Sequence, residues 1–301
     1  MRFPRRLKTF SAALFFVPVQ RIFAQPQETD SLQEFGRSII SSLFGLRELF
    51  AQQDDGAQNL RDLLLLLVQI AVIGIVLNIV YAIVKRLLYK KKFKRQKMRF
   101  EFAEEEVKST KMDGISREQM EELLSKCREL SFRTDRHTAR RGNSFFVATL
   151  TYRMAIALNA DKQTAASYFV AALVYDSGFL DIPGSYFHSE ILTSKQRRQI
   201  RTHVKNFEGY IAFLPEQLYT VCFNACYLHH ENEDGTGYPE GLVSSEIPEV
   251  AKYIHVAESY ASLVSERTYH RELSPKKAIA DLRKKQNIYD PKLVDILATL
   301  V

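Results

Sequence analysis

An uninterrupted apolar run from Leu63 to Val84 is the feature that most limits how this 301-residue chain can fold. Only Gln69 and Asn78 are strongly polar within it. At a rise of about 1.5 Å per residue, the run is long enough to cross a hydrocarbon core of about 30 Å. A helix buried in a soluble domain would seldom be apolar on every side over this length. The run therefore predicts a single transmembrane helix at residues 63–84.

The segment that follows, residues 85–115, opens with a dense cluster of basic residues from Lys85 to Arg99, whereas the flank before the apolar run carries aspartates. Because cationic flanks stay on the cytoplasmic side, this asymmetry predicts an inner-membrane protein with everything after the cluster in the cytoplasm. The net charge of +7 is concentrated in this cluster and in the N-terminal tip. We therefore expect the basic juxtamembrane linker, residues 85–115, to bind an anionic membrane surface, and we expect no nucleic-acid partner.

Two further segments precede the apolar run. Residues 1–24 combine basic residues, an apolar stretch and a terminal Ala24, which predicts a secretory signal peptide, with an uncleaved anchor or an amphipathic lead-in as the alternative. Residues 25–62 carry apolar side chains at spacings of three and four, and Ser31 with Glu34 forms a capping-box pattern. This pattern predicts a short extracytoplasmic amphipathic helix, which either mediates self-association or partner docking or lies on the outer face of the membrane.

The remainder of the chain, residues 116–301, has a helical pattern almost throughout and no competing strand pattern. Ser116 with Gln119 predicts the start of its first helix. Further helices are predicted at 145–158, 164–175, 194–214, 215–230, 248–263 and 275–285. Of the three cysteines, Cys222 and Cys226 are expected to fill the core of a reduced, cytoplasmic domain. These features predict one all-α cytoplasmic domain.

The longest polar break in this pattern contains the most specific motif of the chain. It reads His229-His230-Glu231-Asn232-Glu233-Asp234-Gly235-Thr236-Gly237-Tyr238-Pro239, with Ile247-Pro248 after a short spacer. A histidine pair before an Asp-Gly-x-Gly-Tyr-Pro loop resembles the signature of the HD-GYP family, and Leu273-Ser274-Pro275 and Tyr289-Asp290-Pro291 resemble its later landmarks. The resemblance covers about residues 134–301 and implies an HD-type helical bundle.

HD-GYP proteins are metal-dependent phosphodiesterases of cyclic di-GMP, so the resemblance implies a divalent iron, manganese or zinc cofactor and a cyclic dinucleotide ligand. Carried over residue by residue, it implies a catalytic, metal-bridging role for Asp176. The implied metal ligands are Asp176, His203, His229, His230 and Glu258, the last standing where the family has an aspartate. The implied substrate-binding residues are Gly237, Tyr238, Pro239, Arg267 and Tyr269.

Four positions depart from the family's pattern. Asn143 and Tyr175 replace expected histidines, and Phe179 replaces a lysine expected to contact a substrate phosphate. Ala261 stands where many members have a further acidic residue. A neutral amide and a phenol are poor substitutes for an imidazole ligand. The resemblance therefore implies a degenerate centre with one metal ion rather than two, and hydrolysis that is weakened or lost.

Three functions are compatible with these residues. The first is hydrolysis of cyclic di-GMP or a related cyclic dinucleotide. The second is binding of a nucleotide, a metal or a signalling protein, for instance a diguanylate cyclase domain, without turnover. The third is a scaffold, with the function carried by the N-terminal helix. The changes at Asn143, Tyr175 and Phe179 favour the second, and retention of the Gly-Tyr-Pro loop disfavours the third. A second copy of the chain is a further expected partner.

Overall fold

The computed structural model describes residues 56–189, 191–265 and 272–301, and within these ranges it contains ten α-helices and no β-strand. The helices are α1 (Gly56–Ser109), α2 (Arg117–His137), α3 (Asn143–Ala157), α4 (Lys162–Val174), α5 (Ser194–Arg201), α6 (Glu208–Ile211), α7 (Glu216–Leu228), α8 (Glu249–Leu263), α9 (Pro275–Arg283) and α10 (Pro291–Leu300). The predicted all-α fold is confirmed over these ranges. The predicted signal peptide, and the predicted amphipathic helix up to residue 55, lie outside the described residues.

The chain divides into two compact units between Lys91 and Lys92. The first unit contains the apolar part of α1. Its segment Leu64–Leu88 has a mean hydropathy of 2.6, and large apolar side chains along it, such as Leu77, are exposed. Among the described residues, this is the one helix long and apolar enough to cross a membrane. Apolar side chains that face outward on every side suit hydrocarbon better than water.

The last turns of α1 belong to the second unit and differ from the predicted linker. Phe100, Ala103 and Val107 are buried in its core, and Phe100 stacks on Phe145 of α3 with ring centroids 4.5 Å apart. The sequence predicts a linker over residues 85–115, and this is wrong for its C-terminal part. The reason is a short apolar stripe at spacings of three and four, which the basic and acidic residues around it obscure.

Helices α3 and α4 form the centre of the second unit and pack against each other along their length. Leu150 and Met154 of α3 are buried, as are Phe169 and Leu173 of α4. Helix α7 packs on α4, and helix α8 packs on α3. Burial of each such side chain is worth about 1.5 to 3 kcal/mol. This apolar layer therefore holds the C-terminal ends of α4 and α7 in position, and the candidate site lies at these ends.

Several local predictions can be compared directly with the structure. The capping box is confirmed: Ser116 Oγ accepts from the Gln119 amide at 3.2 Å, and Gln119 Oε1 accepts from the Ser116 amide at 2.8 Å. Cys222 and Cys226 are buried in the core, as predicted. The predicted continuous helix at 194–214 is wrong, because α5 ends at Arg201 and a separate 3-10 turn, Thr202–Val204, precedes α6.

A close contact between two main-chain segments accompanies this break. The segment Ser177–Asp181, which follows α4, passes against the turn Thr202–Val204. A Cβ atom on Gly178 would lie 2.0 Å from the carbonyl oxygen of His203. Only glycine leaves room for this approach. The contact holds the His203 segment as a turn of its own, which apolar periodicity alone does not reveal.

Gly178→Ala is expected to destabilise the folded chain by about 1 to 3 kcal/mol, because the methyl group must displace main-chain atoms in a packed region. Thermal unfolding of the full chain in detergent measures this as a lower melting temperature. The matched control is Gly209→Ala at an exposed position of helix α6, where a Cβ atom meets nothing within 4 Å. Equal melting temperatures for the two variants would contradict the close contact at Gly178.

Candidate metal centre

Four of the predicted metal ligands converge from three segments of the second unit. Asp176 lies directly after α4, His203 lies in the turn Thr202–Val204, and His229 and His230 follow α7. The candidate ligand atoms of the three histidines lie within 4.8 Å of one another. Asp176 Oδ1 lies 3.8 Å from His203 Nε2 and 3.7 Å from His229 Nε2. The structure thus brings together an acid and three imidazoles that are far apart in the sequence.

Main-chain carbonyl groups orient two of the imidazoles. His203 Nδ1 lies 2.8 Å from the oxygen of Ile200, and His229 Nδ1 lies 2.8 Å from the oxygen of Ala225. Because a carbonyl oxygen can only accept, each Nδ1 carries the proton and each Nε2 offers a lone pair. The two Nε2 atoms face each other at 3.3 Å. Two lone pairs this close are satisfied together by a cation, which is the usual arrangement of metal-binding histidines.

The electrostatics of the cluster also fit a cation. Burial lowers the pKa of His229, and burial together with the charge of His229 lowers the pKa values of His203 and His230 well below the usual range. Neutral imidazole is the form that binds metal ions. Burial raises the pKa of Asp176, whose Oδ1 has no hydrogen-bond partner among the described residues. A divalent cation beside this oxygen would keep the acid ionised.

The other oxygen of Asp176 faces an arginine that no sequence motif singled out. Arg140 lies in the loop between α2 and α3, and its Nη1 donates to Asp176 Oδ2 at 3.1 Å. The same nitrogen donates to Glu258 Oε1 at 3.2 Å. In the structure, Glu258, a predicted metal ligand, therefore forms an ion pair with a guanidinium group. In the sequence, Arg140-Arg141 looks like an ordinary exposed basic pair, and Arg141 is indeed exposed.

The residues at the expected ligand positions of the second metal contact each other and the histidine rings. Asn143 Nδ2 donates to the Tyr175 hydroxyl at 2.9 Å. The Tyr175 ring meets His229 edge to face, with ring centroids 5.0 Å apart. Phe179 stacks on His203 at a centroid distance of 3.9 Å and an interplanar angle of 15°. The rings of Tyr175 and Phe179 thus cover His229 and His203, respectively. Ala261, the remaining predicted departure, is buried in the core.

The Gly-Tyr-Pro loop forms the more exposed edge of the cluster. Tyr238 stacks on His230 with centroids 4.8 Å apart, and the guanidinium of Arg201 lies 4.8 Å from the Tyr238 ring centroid. A Cβ atom on Gly237 would lie 2.3 Å from the amide nitrogen of Asn232, so this position needs glycine. The peptide bond between Tyr238 and Pro239 is cis. The other two predicted substrate-binding residues, Arg267 and Tyr269, lie outside the described residues.

Glu231 holds this loop from inside, although it is absent from the predicted site residues. Its side chain is buried, with 2% exposed. Oε1 accepts from the amides of Glu240 and Gly241 at 2.7 and 3.1 Å, and Oε2 accepts from the amide of Leu242 at 3.0 Å. A buried carboxylate that accepts from successive main-chain amides fixes the backbone after the loop. In the sequence, Glu231 directly follows the histidine pair, and nothing in that pattern indicates that it anchors the loop.

Comparison with known proteins agrees with this geometry. The family model described as HD domain matches residues 118–293, which is more than half of the chain. The chain belongs to the HD domain family. Within this family, its curated relatives and its Gly-Tyr-Pro loop are those of the HD-GYP group.

Two relatives show how far the similarity of this HD domain chain extends. The cyclic di-GMP phosphodiesterase response regulator RpfG of Xanthomonas campestris is 27% identical over 191 residues, covering 62% of this chain and 49% of the relative. A cyclic di-GMP phosphodiesterase of Thermotoga maritima is 26% identical over 180 residues, covering 59% and 47%. The HD domain chain thus spans about half the length of these curated relatives. The solved structure of Bd1817, an HDG"Y"P protein from Bdellovibrio bacteriovorus, matches 52% of this chain and 51% of its own at 16% identity and a TM-score of 0.42.

Glu231→Gln is expected to loosen the loop, because an amide NH₂ group would face a main-chain N–H where a carboxylate oxygen now accepts. The loss of stability should be about 1 to 3 kcal/mol, the usual cost of leaving a buried polar group unpaired. Hydrogen exchange followed by mass spectrometry should show faster exchange of the amides at residues 240–242. Glu208→Gln, at an exposed position of α6, is the control. Unchanged exchange at 240–242 would refute the anchoring role.

Proposed function

We propose that this chain is a membrane-anchored module of cyclic di-GMP signalling that binds a cyclic dinucleotide at a one-metal HD centre, with little or no hydrolysis. The observation that carries the proposal is the group of facing lone pairs on His203 and His229 beside Oδ1 of Asp176, which accepts no hydrogen bond from the described part of the chain. Relatives named as cyclic di-GMP phosphodiesterases support the ligand class.

The proposed metal ligands are Asp176, His203, His229 and His230. Three imidazoles and one carboxylate suit divalent iron, manganese or zinc. A bound ion of this kind supplies positive charge that polarises a phosphate oxygen and favours deprotonation of water. The protein's own contribution is orientation, since the carbonyl groups of Ile200 and Ala225 fix the two imidazoles before any ligand arrives.

Weak turnover follows from the side chains around this cluster. Tyr175 and Asn143 bind each other, and Phe179 presents a ring where the family's lysine would meet a phosphate. A phosphodiester bound here therefore meets fewer positive charges than in a two-metal centre, and each missing charge leaves the transition state less stabilised. These contacts favour binding with little hydrolysis over efficient hydrolysis. They also favour the related alternative, an inactive nucleotide-binding or protein-interaction adaptor.

The loop edge offers surfaces that suit a cyclic dinucleotide. Helix α5 carries four basic residues and no acidic one: Lys195, Arg197, Arg198 and Arg201. Arg201 lies over the ring of Tyr238, which in turn lies on His230. A guanidinium recognises phosphate oxygens, and an aromatic face stacks with a purine. We therefore propose Arg201, together with Gly237, Tyr238 and Pro239, as the nucleotide-binding residues among those described.

The N-terminal part of the chain supports a position of this module at a membrane. The apolar segment of α1 is proposed to cross the bilayer once, and the basic residues Lys85 to Arg99 are proposed to lie on its cytoplasmic face. Each basic residue near an anionic surface contributes about 1 kcal/mol of attraction. A diguanylate cyclase domain or another signalling protein, and a second copy of the chain, are the proposed protein partners.

The central test uses the full chain purified in detergent. Elemental analysis is expected to find one divalent ion per chain, and His203→Ala is expected to lose it. Calorimetry with cyclic di-GMP should detect binding, whereas assays with added Mn²⁺ or Fe²⁺ should show little product. Turnover on the order of 1 s⁻¹ or faster, as in ordinary enzymes, would contradict the proposed loss of hydrolysis. Metal without nucleotide binding would favour the adaptor alternative.

Arg201→Gln is expected to weaken binding of cyclic di-GMP about tenfold, because the variant loses a charge that pairs with phosphate and a cation above Tyr238, together worth about 1.4 kcal/mol. Calorimetry of the full chain measures the change. Lys195→Gln, at an exposed position on the same helix, removes an equal charge and should change the affinity much less. A similar loss in both variants would show only general attraction by the basic helix.

A further inference from the structure

Arg140 is a mostly buried cation beside the histidine cluster, and it contacts two carboxylates at once. One nitrogen of its guanidinium bridges two carboxylates that come from different segments, Asp176 after α4 and Glu258 on α8. The side chains of all three residues are mostly buried, with 15%, 4% and 12% exposed for Arg140, Asp176 and Glu258. This is an internal ion pair and differs from the exposed pairs along the helix surfaces.

The loop that carries Arg140 is held in place by hydrogen bonds. The amide of Arg140 donates to the carbonyl oxygen of Asp135 at 2.8 Å. The carboxylate of Asp135 accepts from the amide and the hydroxyl of Ser144, which fixes the start of α3. The guanidinium also lies 4.8 Å from the ring centroid of Phe179. These contacts therefore hold the Arg140 side chain in place between the two carboxylates.

Charge balance shows what this arrangement does. Asp176 and Glu258 both face one small, largely buried region, and two ionised carboxylates there need a cation between them. A guanidinium group stays charged at any physiological pH, donates hydrogen bonds and accepts none. It can therefore supply the positive charge permanently, without a bound ion.

We propose that Arg140 is a built-in cation that takes the place of a second metal ion, and that it positions Asp176 for the first. Its bonds hold Oδ2 of Asp176, which leaves Oδ1 turned toward His203 and His229. This inference rests on the proposed one-metal function and gives its physical cause. It also means that histidines restored at 143 and 175 would not recreate a two-metal centre while Arg140 remains.

The test is the number of Mn²⁺ ions bound by the full chain in detergent, measured by equilibrium dialysis and elemental analysis. Arg140→Ala removes the guanidinium and leaves oxygen ligands from Asp176 and Glu258, which suit Mn²⁺. This variant is expected to bind one more Mn²⁺ per chain than the wild type. Mn²⁺ should also raise its melting temperature by several degrees more than it raises that of the wild type.

Two variants serve as controls. Arg140→Lys keeps a positive charge in the same place and should bind the wild-type number of ions. Arg141→Ala removes the neighbouring, exposed guanidinium and should also match the wild type. The inference is overturned if Arg140→Ala binds no more Mn²⁺ than the wild type, or if either control gains an ion.

The outcomes separate this inference from the proposed function. A wild-type chain that binds no Mn²⁺ would sink the proposed metal centre, whereas the replacement of a second ion by Arg140 is tested by the difference in bound Mn²⁺ between variant and wild type. If Arg140→Ala does not fold with or without Mn²⁺, the double variant with Glu258→Gln is used. Recovery of folding in the double variant supports charge compensation by Arg140, and failure to recover overturns it.

Discussion

Asp176 is a carboxylate held away from water, so each of its oxygens needs a donor or a cation inside the protein. Oδ2 meets Arg140, and Oδ1 meets the imidazoles of His203 and His229. Helices α3, α4 and α7 contribute to this arrangement. The apolar pairing of α3 and α4 fixes the end of α4, and the packing of α7 on α4 brings the histidine pair to the same place. The helical bundle thus holds the Asp176 carboxylate between the guanidinium of Arg140 and the metal-binding imidazoles of His203 and His229.

Much of the fold could be predicted from the sequence, because helical periodicity and a capping box are local signals. Ser116 with Gln119 begins α2 as expected, and the histidine pair ends α7. The stripe that includes Phe100 was hidden by the charges around it. The break after Arg201 is accompanied by the close contact with Gly178, which is distant in the sequence. Local pattern carries no information about contacts of this kind.

The candidate site was predictable only where a motif names the residue. The cluster of His203, His229 and His230 with Asp176 follows from the resemblance to the HD-GYP family, and the structure brings these residues together. Arg140 reaches Glu258 across 118 positions of sequence, and Arg201 meets Tyr238 only in the folded chain. Arginine is common on surfaces, so nothing in its local sequence distinguishes an internal counter-ion from a solvated side chain.

The contact at Gly178 has a further consequence for how the centre can change. Asp176 and His203 are kept near each other by the contact between the main chains of Gly178 and His203. We therefore expect a substitution at either ligand position to change the donor atoms while the distance between the two Cα atoms stays nearly the same. Such a chain is a suitable starting point for engineering new metal sites by side-chain replacement.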